Sequence, residues 1–220
     1  LDKDFDKEVK RTKNRPIASG KISVKIGIIY SIILCLLALI VLINFNKFTI
    51  FLALASMPFA FTYPLMKRFT YWPQLFLGLT FNYGLILGWT SINNELNLIP
   101  IILYVGAIFW TLGYDTIYGF QDIKDDEIIG LKSTSIKFKS NPIMFLNICY
   151  LILTSSLLII GYEMGYNIFY FIFMIVVIFH LFYVQLKKLK IESEVNCLKI
   201  FKSNNLVGLI IFVNLIIGKF

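Results

Sequence analysis

Charge is scarce in this chain of 220 residues: 15% are Asp, Glu, Lys or Arg, against roughly 25% in a soluble domain. Histidine occurs once, at His180, and cysteine three times, at Cys35, Cys149 and Cys197. A lone histidine and three scattered thiols supply neither a zinc site nor a disulfide framework. Two of the thiols sit inside apolar blocks, where cysteine acts as small apolar filler; His180, also in such a block, is expected to be packed and hydrogen-bonded. Apolar residues take the place of the missing charge. They make up 58% of the chain, with a mean hydropathy of +0.76, and they come in long blocks. Lipid is the solvent that suits such blocks, and a soluble fold, a disordered chain and a collagen are excluded.

Runs of about 17–25 apolar residues mark membrane spans. Seven are found, near 24–43, 49–66, 74–91, 98–120, 142–161, 167–186 and 204–219. Lipid offers backbone groups no hydrogen-bond partner, so each run is expected to be a helix; the two-residue alternation of a membrane barrel is missing. The expected fold is all-α, a polytopic transmembrane helical bundle forming one domain over 1–220. Gly78, Gly84 and Gly88 are expected to let its helices pack closely.

The net charge of +8 does not point to nucleic acid, because its position follows the spans. The segments 1–25, 67–73, 121–141 and 187–203 contain 8, 2, 4 and 5 of the 21 Lys and Arg residues, and the alternate connections only Lys47. Lys and Arg accumulate on cytoplasmic loops, so these four segments share one face and that face is cytosolic.

The acids follow the same face. Nine of the thirteen Asp and Glu fall in two clusters, Asp2, Asp4, Asp6 and Glu8, then Asp115, Asp122, Asp125, Asp126 and Glu127. On a helix Asp2 and Asp6 share a face, as do Asp122 and Asp126. Asp115, Tyr118 and Asp122 extend the second face one turn into an apolar span. A carboxylate at that depth costs several kcal/mol unless compensated. Carboxylates arriving from two helices suit a hard divalent ion, and Mg²⁺ typically bridges one or two of them to phosphate. The adjoining Lys10, Arg11, Lys13 and Arg15 are what a phosphate-rich ligand also needs. A metal–diphosphate site on the cytosolic face is the expectation, against a merely solvated charged segment at 1–15.

Three stretches carry a resemblance. DxxxDxxVKRTxNRP at 2–16, YPLMKRFTYWPQLFLGLTFNYG at 63–84 and YDTIYGFQDIKDDEIIGLKST at 114–134 together resemble the intramembrane aromatic prenyltransferases, in particular those that act on 4-hydroxybenzoate. The resemblance implies nine helices, of which this chain supplies the last seven. It also implies an Asn-Asp pair ahead of Asp2, so 1–220 alone is expected to be inactive. The implied substrates are a polyprenyl diphosphate and 4-hydroxybenzoate, with Mg²⁺ as cofactor, in ubiquinone biosynthesis at a bacterial inner membrane. No nucleic acid or obligate protein partner is implied.

By the same resemblance Asp2 and Asp6 hold one ion and Asp122 and Asp126 the other, with Asp115 in support. Lys10, Arg11 and Arg15 clamp the diphosphate, and Tyr118, with Tyr114 and Phe120, shields an allylic cation. Arg68 meets the acceptor's carboxylate, a planar fork matched to it, while Lys67 anchors the loop. Asn82 either lines the cavity or bonds helix to helix. Haem, menaquinone and chlorophyll prenyltransferases share the carboxylate motifs. A cation transporter is the alternative from another class, and would hold its carboxylates near the midplane between broken helices. The topology is checked in a background without the native cysteines: Gly130→Cys and Asn94→Cys are expected to react with impermeant reagent from opposite sides, and reaction from one side would contradict it.

Overall fold

The computed structural model describes residues 3–8 and 12–220; Asp2, Lys10 and Arg11 lie outside the described residues. The described residues form helices and no strand. In chain order these are α1 (Lys3–Glu8), α2 (Val24–Leu42), α3 (Lys47–Thr62), α4 (Met66–Phe69), α5 (Pro73–Phe81), α6 (Gly84–Asn93), α7 (Leu98–Gly119), α8 (Ile123–Ile129), α9 (Thr134–Lys137), α10 (Pro142–Glu163), α11 (Ile168–Phe179) and α12 (Glu194–Ile217). A 3₁₀ turn joins α3 to α4, and a π-helical stretch, His180–Leu186, continues α11. Seven of the resulting rods are long and apolar enough to cross a membrane. They coincide with the seven expected spans, and the last is longer than expected, beginning at Glu194.

Short polar side chains set the starts. Ser23, Asn46, Asn97, Asn167 and Ser193 each accept a hydrogen bond from a backbone N–H of the first turn, satisfying donors that the helix itself leaves open. Asn82 does the reverse in the middle of a span. Its amide donates to the Gly78 carbonyl of its own helix (2.9 Å), to the Ala107 carbonyl (3.2 Å) and to Thr111 Oγ1 (2.8 Å) on α7. The span breaks there into α5 and α6, and the break holds an amide rather than the carboxylate a transporter would place in it.

The core lies between α7, α10, α11 and α12. Gly106 and Gly113 on α7 face α10 so closely that a Cβ would stand 2.7 Å from Ser156 Cβ and 2.8 Å from the Tyr150 ring, respectively. Gly78 meets the Ile108 backbone in the same way, at 3.0 Å, whereas Gly84 and Gly88 have open space beside them. The expectation of close packing therefore holds for Gly78 and fails for the other two, which the α6 position turns outward. A buried polar chain fastens the core. Tyr150 Oη donates to Gln185 Oε1 (2.5 Å), and Gln185 Nε2 donates to Asn204 Oδ1 (3.0 Å). Trp110 Nε1 donates to the same oxygen (2.8 Å). In an apolar surround such groups must find each other. His180 Nδ1 lies 3.5 Å from Gln185 Nε2, packed as expected. Helix α2, by contrast, buries no residue against the rest of the chain.

The expected single helical face through 115–126 is interrupted. Helix α7 ends at Gly119, and residues 120–122 turn before α8 begins. A Cβ at position 119 would collide with Ser135 Oγ, so the glycine lets α9 press against the end of α7. Glycine is also a poor helix former. Beyond α8, Gly130 takes a left-handed φ of 76°, which returns the chain toward α4 and α5.

Candidate functional site

Three of the four basic segments meet around one cavity of about 320 Å³ at the end of the bundle. Each wall has its own cause. From the N-terminal segment come Asp6, Thr12 and Arg15. Arg15 Nη1 donates to both carboxylate oxygens of Asp6, at 3.0 and 3.1 Å, and Thr12 Oγ1 donates to the Asp6 carbonyl at 2.9 Å. Asp6 keeps only 18% side-chain exposure. A charge-assisted pair so placed is stronger than one between exposed side chains. Tyr63, Pro64 and Lys67 line a second wall, and Pro73, Gln74 and Leu77 at the start of α5 a third.

The fourth wall brings the acids. Asp115 comes from the last turn of α7, and Asp122 and Asp126 from the start of α8. Asp126 N–H donates to the Asp122 carbonyl at 2.8 Å, one helical turn, so this pair shares a face as the spacing predicts. The turn at 120–122 swings α8 across the end of α7, and the three carboxylates still reach one cavity. Leu131, Lys132 and Ser133 close it.

This last segment is fixed by a set of buried bonds. Gln74 Oε1 accepts from Thr134 N–H (3.0 Å), Thr116 Oγ1 and Thr134 Oγ1 lie 2.6 Å apart, and Ser135 Oγ donates to the Thr116 carbonyl (2.8 Å). Lys132 N–H donates to the Lys67 carbonyl at 2.8 Å and Lys132 Nζ to the Phe69 carbonyl at 3.3 Å. The loops bearing Lys67 and Lys132 are thus one unit, tied to α5 and α7. Gln74 and Thr134 are nearly or fully buried, at 7% and 0% exposure.

Of the residues expected at the site, the structure brings together Asp6, Arg15, Lys67, Asp115, Asp122 and Asp126. Arg68, Tyr118, Tyr114, Phe120 and Asn82 are not among the cavity's lining. Arg68 sits beside Lys67 on the single turn of α4, outside the lining that Lys67 joins. The Tyr118 ring lies 4.3 Å from Phe201 on α12, within an aromatic row that includes Trp110 and Tyr114. Asn82 is spent on the α5–α7 contact described above. Phe120 lines a neighbouring cavity with Asp122, Asp125, Glu192 and Glu194. Sequence reasoning missed Gln74, Lys132 and Ser133. Gln74 gives a signal, a polar residue at the mouth of an apolar span, inside the 63–84 stretch that carries the resemblance.

The donor set has a chemical preference. Four carboxylates face the cavity, which suits a hard cation. Among the described residues no three of them close into a ligand cage. That arrangement fits Mg²⁺, which retains waters and shares its shell with phosphate, and does not fit a closed structural metal site.

The sequence pattern of the UbiA prenyltransferase family matches residues 1–214. The chain belongs to this family. It is 41% identical over 219 residues to the "4-hydroxybenzoate polyprenyltransferase, mitochondrial" of Rattus norvegicus, covering 99% of this chain and 58% of that protein. To "4-hydroxybenzoate geranyltransferase 2" of Lithospermum erythrorhizon it is 38% identical over 222 residues, covering 100% of this chain and 72% of the other. The chain thus spans a little over half the length of the mammalian relative. A solved structure, the apo form of a UbiA homolog from Aeropyrum pernix K1, superposes with a TM-score of 0.78 at 19% identity, covering 100% of this chain and 82% of that one. At that identity the likeness shows a shared UbiA fold.

The cavity wall of this UbiA-family chain rests on Gln74. Replacing it with Leu leaves the buried Thr134 N–H without an acceptor, a cost of about 1–3 kcal/mol. In Gln74→Leu the amides of 133–136 are expected to exchange with deuterium at least tenfold faster, while those of α10 keep their protection. Unchanged exchange at Thr134 would contradict the bracing role.

Proposed function

We propose that this cavity performs the Mg²⁺-dependent transfer of a polyprenyl group from its diphosphate to 4-hydroxybenzoate, at the ring carbon ortho to the hydroxyl, in ubiquinone biosynthesis. The observation that carries the proposal is the meeting, at the mouth of the bundle, of four carboxylates with Arg15, Lys67 and Lys132. Such a mixture is of little use to an apolar ligand or a bare cation; it suits a polyanion delivered together with a metal. The names of the similar proteins supply the reaction class. The charge bias of the loops supports a site on the cytosolic face; the bacterial inner membrane is part of the same proposal.

In this reading Asp2 and Asp6 would hold one metal ion and Asp122 and Asp126 the other, with Asp115 adding negative potential behind them. When bound, Mg²⁺ would supply Lewis-acid neutralisation of the charge that develops on the leaving diphosphate. Arg15, Lys132, Lys10 and Arg11 meet the diphosphate oxygens, Arg by paired donors and Lys as a point charge. As the C–O bond to the prenyl group breaks, the electron pair leaves with the diphosphate. Leu77, Leu131 and Tyr63 keep water from the allylic cation, and the ring carbon beside the phenol attacks it and then loses its proton. Lys67 and Arg68, adjacent on α4, hold the acceptor's carboxylate: Lys67 from the cavity wall, Arg68 through its fork. Lys67 thereby takes a larger part than the loop-anchoring one expected from sequence.

The test uses prenyl transfer in a membrane-reconstituted protein that has activity. Asp122→Asn is expected to lower the rate by roughly 10²–10³, the scale of one lost charge-stabilising contact, with insertion unchanged. Lys67→Ala and Arg68→Ala are expected to impair 4-hydroxybenzoate more than a phenol lacking the carboxylate. Normal turnover without divalent metal would overturn the reading.

A further inference from the structure

A second basic site lies away from the acidic cavity, on the outer surface of the bundle. The first turns of α10 and the end of the π-helical stretch enclose a groove of about 470 Å³, lined by Ile143, Asn147, Phe182, Leu186, Lys187 and Leu189. It sits on the same face as the charged loops, since α10 starts directly after one basic segment and Lys187 opens the next.

Three features mark it as a binding site. The π-helix widens the backbone here, with Lys187 N–H donating to the Phe182 carbonyl five residues back (3.2 Å). Such bulges recur at functional sites. Lys187 and Lys188 both lean on the Tyr183 ring, their ammonium groups 4.8 and 5.6 Å from its centroid. Neither forms an ion pair among the described residues, and the nearby Glu192 and Glu194 line a different cavity. Asn147, a polar residue in an otherwise apolar span, lines the groove with its amide donating back to the Ile143 carbonyl (2.8 Å). Below this polar rim the surface is apolar and exposed, through Phe179, Ile175, Ile148 and Leu151.

We propose that the groove binds an anionic phospholipid, its phosphate against Lys187 and Lys188 and its acyl chains along α10 and α11. The charge complementarity selects an anion, and the apolar track continuing toward mid-membrane selects a lipid over a soluble phosphate. Basic pockets between spans on the cytoplasmic side take such headgroups. This proposal does not depend on the enzymatic one.

The test is retention of lipid by the detergent-purified chain, read by native mass spectrometry after equilibration with equal phosphatidylglycerol and phosphatidylcholine. Phosphatidylglycerol is expected to be retained preferentially. The double variant Lys187→Gln/Lys188→Gln is expected to weaken its retention roughly twenty-five-fold, from about fivefold per lysine. Ile143→Trp, which fills the groove without changing charge, is expected to displace it as well. Lys199→Gln/Lys202→Gln, which removes the same charge elsewhere on that face, is expected to leave it bound. Equal loss with the control pair, no preference between the lipids, or release by inorganic phosphate alone would each overturn the proposal.

Discussion

Carboxylates gathered at the edge of lipid repel one another, and holding them together calls for a compensating positive charge. Asp115, Asp122 and Asp126 are in that position, at the junction of α7 and α8, with Asp6 facing them. Much of the surrounding architecture answers this constraint. Arg15 is folded back onto Asp6, and Lys67 and Lys132 are carried in on two loops bonded to each other. The four acids line one cavity, and among the described residues no three of them stand close enough to hold an ion by themselves. On the proposed reading such a site is completed by its ligands, because metal and diphosphate together would bring the missing positive charge and the missing oxygens.

Rigidity is supplied from below. The floor of the cavity is the end of α7, which is fastened to α10 by glycine-mediated contact and to α12 by the Trp110–Asn204 bond. Asn82 ties α5 to the same helix, and Gln74 carries that order upward into the loop at 131–135. In lipid these bonds compete with no water, so the buried groups named here settle on protein partners; among the described residues Trp89 Nε1 and Asn214 Oδ1 are buried without one. Individually such bonds are worth only about 0.6–1.7 kcal/mol in a membrane protein; their use here is to fix positions.

The spans and their common face were legible in the sequence because length, apolarity and Lys/Arg bias are direct physical requirements of a bilayer. Asp122 and Asp126 were legible because four-residue spacing places them on one face of whatever helix contains them. The turn at 120–122 was not, since it depends on Ser135, 16 positions from Gly119, pressing where a Cβ would stand. Residue type favoured Arg68 over Lys67 as the partner of a carboxylate, but the single helical turn of α4 places Lys67, not Arg68, in the cavity lining. Asn82 left two readings open, and the hydrogen bonds to α7 settle its amide on the helical one. The lipid-facing groove left no trace in composition, because it requires a π-helical winding that no local pattern announces.

The account depends most on the claim that metal and diphosphate bind this cavity together. Mn²⁺ binding followed by electron paramagnetic resonance, with and without inorganic diphosphate, tests it without reference to turnover. The account predicts weak binding of Mn²⁺ alone, strong enhancement by diphosphate, and loss of that enhancement in Asp122→Asn/Asp126→Asn with the helical content intact. Enhancement that persists in the double variant, or Mn²⁺ binding indifferent to diphosphate, would contradict it.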